Sequence, residues 1–533
     1  NTGIGYYALG SSTTGDRNTA LGSYAGDNIT TATQNVAIGY AALDTQTTGS
    51  FNVAVGGYSL QDSITSWNTA VGYYAMYANT TGTKNVGIGY SALSAATTAS
   101  NNTALGYQAL TACTGGSNTA VGDRAGAAIT TGSENTLIGI ICGDKITTGI
   151  QNTIIGSDAG GEITTQNYCT AMGKGALQVN TQHQATAFGR QAMGANTTGS
   201  YNSALGYNAL AANTTGASNT AVGNAALGAN TTGDQNVAVG RAAGMSVTSG
   251  ASNVFLGHLA GAYLTSGSKN FFGGYCAAGH NSAIVTGSYN VVLGECASRD
   301  LTSGTANVII GRYAGGAITS GTDNVILGCY AAKNSKSLCA NIIMGMETGA
   351  CLCNGSHNIA MGQYTMRGSS TVSANTAGYN VALGQGALKV ISSGANNVAL
   401  GKETGECLTT GSHNTILGNN VARRMTSGHT NVFLGYYAGE GAASSGGTGH
   451  NNIAIGNKAL SEKWTSATYN IALGVSSGLC ISTGNANINL GYLAGCANTD
   501  ANCNVAIGYA AGSMNGTGDQ NIFIGTDAGK GDT

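Results

Sequence analysis

NTAVGNAALGANTTGDQ, Asn219 to Gln235, is a 17-residue unit that recurs in 31 copies, from Asn1 to a last copy opening at Asn521. Glycine holds the fifth place in all 31 copies (Gly5, Gly22, Gly39, Gly56 and onward). Asparagine opens 29 of them, with only Cys169 and Ala185 in its place. A short period that fills a whole chain specifies a repeat architecture, in which each unit packs on its neighbours. Asn219, Gly223, Asn236 and Gly240 are therefore expected to stand in ladders, the same residue above itself from copy to copy. Stacked amides can bond from rung to rung.

Positions two to four read Thr/Val–Ala–Val/Leu/Ile, a short β-favouring run. Side chains alternate along a strand, so positions two and four share one face and positions one and three the other. Both faces are apolar or small, which predicts cover on both sides. On that reading Ala221 and Ala238 lie against another chain or another part of the same rod. Alanine at position eight (Ala8, Ala25, Ala42, Ala75) leaves room for only a thin core. Positions 12 to 15, as in Ile129–Gly132, read as a second short strand closed by a glycine turn. A helix is excluded, because 17 residues do not keep one helical stripe and glycine at position five costs about 1 kcal/mol per copy. The fold class is all-β: a β-solenoid, or β-roll, of about 31 coils with 17 residues per coil, one continuous array over residues 1–533. At roughly 4.8 Å per rung the rod would be on the order of 150 Å long. Of the 30 spacings, 23 are 17 residues and three are 16; those of 20, 22 and 21 after Asn270, Asn358 and Asn431 predict loops between rungs. So thin a core stabilises a chain weakly. The outer strand face is expected to pack against other copies, with a trimer the simplest closed choice.

Composition narrows the function. Only 8% of residues are charged and the net charge is −2, which excludes recruitment of nucleic acid by long-range field. No apolar run is long enough for a membrane span. There is no leader sequence and no opening Met, which implies a processed product or a segment of something longer. The 13 cysteines form no metal-type pattern. Most read as small apolar fillers, but Cys276 and Cys296 hold position seven of adjacent copies, one rung apart, within reach of a disulfide. Carboxylates and histidines are scattered, and no phosphate loop or nucleophile motif is present. Neither an enzyme, nor a metal site, nor a cofactor is expected.

Tyrosine is the best binding candidate. It occupies position six in ten copies, and Tyr73, Tyr90 and Tyr107 fall on three consecutive rungs. Such a row holds sugar rings or a partner protein, or its rings pack on each other or across a subunit interface; the last two readings stand ahead. The Thr-Thr pairs suggest an ice-binding face, but adjacent strand residues point to opposite sides, so only one narrow file would face out. The sequons at Asn79 and Asn196 are more simply turn residues.

The motif Asn-x-Ala-Val/Ile/Leu-Gly, as in Asn118–Gly122 and Asn504–Gly508, resembles the head repeat of YadA-type trimeric autotransporter adhesins. The unit with its Asn-Thr-Thr-Gly stretch (Asn79–Gly82, Asn196–Gly199, Asn213–Gly216, Asn230–Gly233) resembles the arrays of phage tail-fibre-like proteins. The resemblance implies a left-handed roll, a homotrimer and a structural fibre on a virion or cell surface, where attachment to surface glycans or a receptor is the role. This chain departs from the adhesin heads in its longer copy. The rival expectation is an extracellular filament subunit. The array starts in phase at Asn1 and stops mid-copy at Thr533, so one chain's last rung would pair with the next chain's first.

Overall fold

The computed structural model describes residues 1–279, 283–368, 375–442 and 446–530. They form two compact units, Asn1–His258 and Leu259–Thr533, each a β-solenoid built from the same coil. Among the described residues there are 31 strands of three residues, one per copy, at positions two to four. The first unit runs from β1 (Thr2–Ile4) to β16 (Val254–Leu256), and the second from β17 (Phe271–Gly273) to β31 (Ile522–Ile524). Within each unit successive strands pair parallel and in register, as in Thr220↔Val237, Ala221↔Ala238, Val222↔Val239.

The glycine at position five is required twice over. Its φ lies between 120° and 145° in all 31 copies, a conformation that side chains rarely adopt. A Cβ on Gly39 would also fall 2.6 Å from the Gly56 carbonyl above it. Gly223 stands against Gly240 in the same way, so the glycines form the expected ladder.

Outside the strands the coil turns on left-handed residues that sequence does not mark. In the Asn219 copy these are Ala225 (φ 54°), Leu227 (φ 49°) and Gln235 (φ 58°). Each would be strained in isolation, and each gives its N–H to a neighbouring rung. Ala225 donates to the Tyr207 carbonyl at 2.9 Å, Leu227 to Ala243 at 2.9 Å and Gln235 to Ala217 at 2.9 Å. The backbone thus stays paired rung to rung where no strand exists, as burial demands.

One expectation fails here. Positions 12 to 15 are a bend, not a strand: Thr231, Thr232 and Gly233 all donate to the single Thr248 carbonyl, which only a curled backbone allows. The bend is tied to the next coil by Thr hydroxyls as well, as Thr231 Oγ1 donates to the Thr248 carbonyl at 3.0 Å. Ala221 and Ala238 are fully buried inside their own coil, the second of the two placements expected for them. Positions two and four, not position three, look outward.

The interior is filled by positions three, eight, nine and 12, with the opening asparagine on its margin. Three and nine share one volume. Where nine is Leu or Met, three is Ala or Gly (Leu43 with Ala37, Met76 with Ala70, Leu93 with Gly87). Where three is Phe, nine is Gly or Ala, and a Cβ on Gly439 would strike the Phe433 ring. The copies of 20, 22 and 21 residues keep strand register, Phe271 facing Val291, Ile359 facing Val381 and Val432 facing Ile453. Residues 280–282, 369–374 and 443–445 of their predicted loops lie outside the described residues.

Candidate functional site

The opening asparagines make the ladder the sequence predicts, with a geometry it does not. Asn219 and Asn236 are fully buried. Asn219 Nδ2 donates to the Gly233 carbonyl of its own coil at 2.9 Å, closing the ring. Its Oδ1 accepts the Asn236 backbone N–H at 2.9 Å and Asn236 Nδ2 at 3.1 Å, joining ring to ring. One side chain therefore fixes both the coil and the stack. Cys169 keeps the donor half, its N–H reaching Asn152 Oδ1 at 2.9 Å, but its thiol offers Ala185 no amide oxygen. A second amide ladder runs inside the coil at position 12: Asn196, Asn213 and Asn230 each donate Nδ2 to the amide oxygen one rung before, at 2.7–2.8 Å. Asn79 and Asn196, the sequon residues, are fully buried core amides.

The tyrosines of the first seven coils form one unbroken file. Tyr73, Tyr90 and Tyr107 are exposed and nearly parallel, with ring centroids 6.1 Å and 5.3 Å apart. The sequence reading missed the residues that extend them. Tyr7, Tyr24, Tyr58 and Tyr74 stand at position seven, one step beyond the file that was counted. They carry ring contact from Tyr6 to Tyr24 (5.5 Å), Tyr24 to Tyr40 (6.0 Å), Tyr40 to Tyr58 (5.2 Å) and Tyr58 to Tyr73 (5.8 Å). Counting positions six and seven together would have found this file over the first seven coils.

Beside it runs a position-ten column of Asp27, Asp44, Gln61 and Tyr77. Gln61 hydrogen-bonds to the Asp44 carboxylate; burial, then Asp27 and Asp62, pushes the Asp44 carboxyl above the usual range. In the second unit the same column alternates in sign: Lys389, Glu406, Arg423, Glu440. Glu406 meets Lys389 at 2.9 Å and Arg423 at 3.0 Å. Burial raises the Glu406 carboxyl, but the two cations outweigh it and hold it below its ordinary value.

A third surface is the outward face of the strands. Position four carries no charge in either unit and is half-buried in most copies, with Phe188, Leu205, Val239, Ile310, Met361 and Ile455 among those exposed. On β12 (Thr186–Phe188), β13 (Ser203–Leu205) and β14 (Thr220–Val222) it forms an apolar hollow of about 200 Å³.

All 13 cysteines are free. Burial pushes the Cys142 thiol up to about 12 and Cys113 up to about 11, which marks inert fillers. Cys276 and Cys296 are buried neighbours whose thiols hydrogen-bond to one another. His357 stacks on Tyr379 at 4.7 Å, and His429 and His450, on adjacent coils, stack at 5.0 Å. Among the described residues no group of three His, Cys, Asp or Glu is placed to hold a metal ion, and no helix is long and apolar enough to cross a membrane. No protein-family model matches the chain, and no curated protein matches it in sequence.

Proposed function

We propose that this protein is a non-catalytic structural scaffold, a fibre of the tail-fibre or surface-adhesin kind that works outside the cell or on a virion. The observation that carries this reading is the outward strand face. Val, Leu, Ile, Met and Phe recur there at position four through both units without a charged residue. Exposed apolar surface of that extent marks an interaction site. Its features repeat once per coil, so the partner that matches them is another copy with the same coil height. A trimer about an axis along the stack satisfies this, and it is the state that the resemblance to adhesin heads implies.

Size-exclusion chromatography with light scattering tests the proposal. The parent chain is expected at a multiple of its 52.8 kDa mass. Leu205→Lys with Phe188→Lys, which place charge on the outer face and leave the coil interior intact, should lower that mass at unchanged β-sheet circular dichroism. A parent chain that runs as a monomer would overturn it.

A further inference from the structure

We propose that Cys276 and Cys296 are a cross-linking site: a disulfide closes between them under a mild oxidant and clamps two adjacent coils of the second unit. Both cysteines belong to one chain, so the bond forms in a single copy as it does in an assembly. Three observations carry it.

The first is register. Cys296 donates its backbone N–H to the Tyr275 carbonyl at 2.9 Å, and Gly294 to Gly273 at 2.8 Å, so the two cysteines stand one above the other. Both are left-handed, with φ of 52° and 51°. Matching backbone angles point the two Cβ atoms the same way, and the thiols hydrogen-bond across the step. One rung, about 4.8 Å, falls within the roughly 4.4–6.8 Å between Cα atoms that a disulfide spans. Closure draws the Cβ atoms together by roughly 0.5 Å, a small movement for rungs joined by hydrogen bonds. Cys480 and Cys496 make the contrast. They also lie on adjacent coils, the Cys480 N–H donating to the Cys496 carbonyl at 3.1 Å. They hold positions 11 and ten, out of register.

The second is depth. Position seven is a column at the surface, held by Tyr7, Tyr24, Tyr58 and Tyr74 in the first unit and by Tyr313 and Tyr330 in the second. Cys113 and Cys142 stand at positions 12 and eight, inside the coil. Cys276 and Cys296 are instead buried beneath side chains that touch them, Tyr275 hydrogen-bonding to Cys276 and Tyr313 to Cys296. A tyrosine has to swing aside for a reagent to reach the pair, but no coil has to open. The third is the length of chain enclosed. The copy that opens at Asn270 has 20 residues, and the bond spans that whole step. Joining its ends removes conformational freedom from the unfolded chain.

Oxidised glutathione supplies the oxidant. Cys296, 6% exposed against none for Cys276, is the point of entry. Its thiolate attacks one glutathione sulfur, forming a mixed disulfide and releasing a glutathione thiolate. The Cys276 thiolate then attacks the Cys296 sulfur and releases the second glutathione. Two cysteine thiols are oxidised, one glutathione disulfide is reduced, and the two thiol protons pass through water to the released glutathiones.

The reduced full chain is incubated with oxidised glutathione, its remaining thiols are alkylated, and its peptides are mapped by mass spectrometry. We expect a Cys276–Cys296 linked peptide, two hydrogens lighter than the separate thiols, to dominate. The Phe271 and Gly294 amides join the two coils. Their hydrogen exchange should slow on the order of a hundredfold, as loop closure over this length implies, and dithiothreitol should reverse the change. Cys276→Ser/Cys296→Ser should exchange at one rate with and without oxidant. The parent alone, before and after oxidant, decides the matter should that variant fail to fold. No linked peptide, a lasting glutathione adduct on Cys296, or a Cys480–Cys496 link formed as fast overturns the inference. So does unchanged exchange in the linked chain, or a dimer on a non-reducing gel joined through Cys276 or Cys296.

Discussion

The first seven coils of the first unit and the first five strands of the second build the same ring from opposite side chains. In the former, position three is Gly or Ala throughout (Gly3 to Ala104), and position nine is Leu or Met in all but the Gly26 copy. In the latter, β17 to β21 (Ile342–Met344), position three is Phe272, Val292, Ile309, Ile326 and Ile343. Their position nine is Ala278, Ser298, Gly315, Ala332 and Gly349. Apart from Gly3 and Leu9 of the first coil, both sets are buried, so the ring encloses one volume that either wall can fill. Only the opening Asn and the fifth Gly, which carry the hydrogen bonds and the close approach of rungs, stay the same. The surfaces differ just as freely, aromatic over the first seven coils and alternately charged at Lys389, Glu406, Arg423 and Glu440, further along the second unit.

Exchanging the two fillings in one coil breaks or sharpens this comparison most directly. Ala221→Ile alone overpacks the ring, and Leu227→Gly alone empties it; each should cost about 3 kcal/mol. Together they reproduce the pairing seen at Ile343 and Gly349, and the double variant should recover to within about 1 kcal/mol of the parent. Denaturant melts of the four proteins give the coupling. Additive losses would mean that positions three and nine do not share a volume.

The shared frame has a smaller and two-way test. Asn219→Ala strands the Asn236 N–H, while the Gly233 carbonyl keeps its bond from Asn230 Nδ2, and should cost about 2 kcal/mol. At the natural break, Cys169→Asn with Ala185→Asn should restore the ladder and add about 1 kcal/mol. Hydrogen exchange of the Thr170 and Thr186 amides reads the second effect locally. Thr186 donates to the Asn202 carbonyl at 3.3 Å, against 2.8 Å for Thr220 to Asn236.

The smallest effect belongs to the second unit alone. Burial, then His450 and His413, holds the His429 imidazole below its ordinary value. Its Nδ1 accepts the Ser412 N–H at 3.0 Å, and His450 Nδ1 accepts the His429 N–H at 2.9 Å. A protonated Nδ1 cannot accept. The folded pKa lies below the unfolded one, so the unfolded chain takes up more protons as pH falls. This contribution is present above about pH 6.5, and it is lost as pH drops from there through the folded value. The loss should be well under about 1 kcal/mol for so exposed a ring. His429→Asn supplies an acceptor like Asn485, which takes the Thr468 N–H at 2.7 Å. Melts of this variant at about pH 7.5 and about pH 5.5 should differ less than those of the parent.

The period, the coil and its ladders were legible because Asn219 and Gly223 are constrained by chemistry that no other residue supplies. The bend at positions 12 to 15 was not, since Thr-Thr-Gly serves a strand end and a curl equally well. Left-handed Leu227 and Ala225 were also hidden, because neither residue type signals positive φ and only the rung-to-rung hydrogen bonds hold them there. The direction of Ala221 stays open in the sequence for a different reason: alternation gives two faces, but both are apolar or small, and only the folded coil shows which is inside. Tyr73, Tyr90 and Tyr107 were found by their constant position. Tyr24 and Tyr58 escaped because the file on the surface is continued from the next position along.

The amide ladder also has a direction. Asn1 Oδ1 accepts the Asn18 N–H at 2.8 Å, Asn18 Oδ1 accepts that of Asn35 at 2.9 Å, and the order does not reverse. A finished coil therefore displays an acceptor where the opening residue of the following coil must land, some 17 residues downstream. A ribosome delivers the chain in that same order. Folding by accretion, each turn laid on the last while the remainder is still being made, follows from this polarity. No segment has to wait for a distant one, and the time to fold grows with the number of coils rather than with the search for remote contacts.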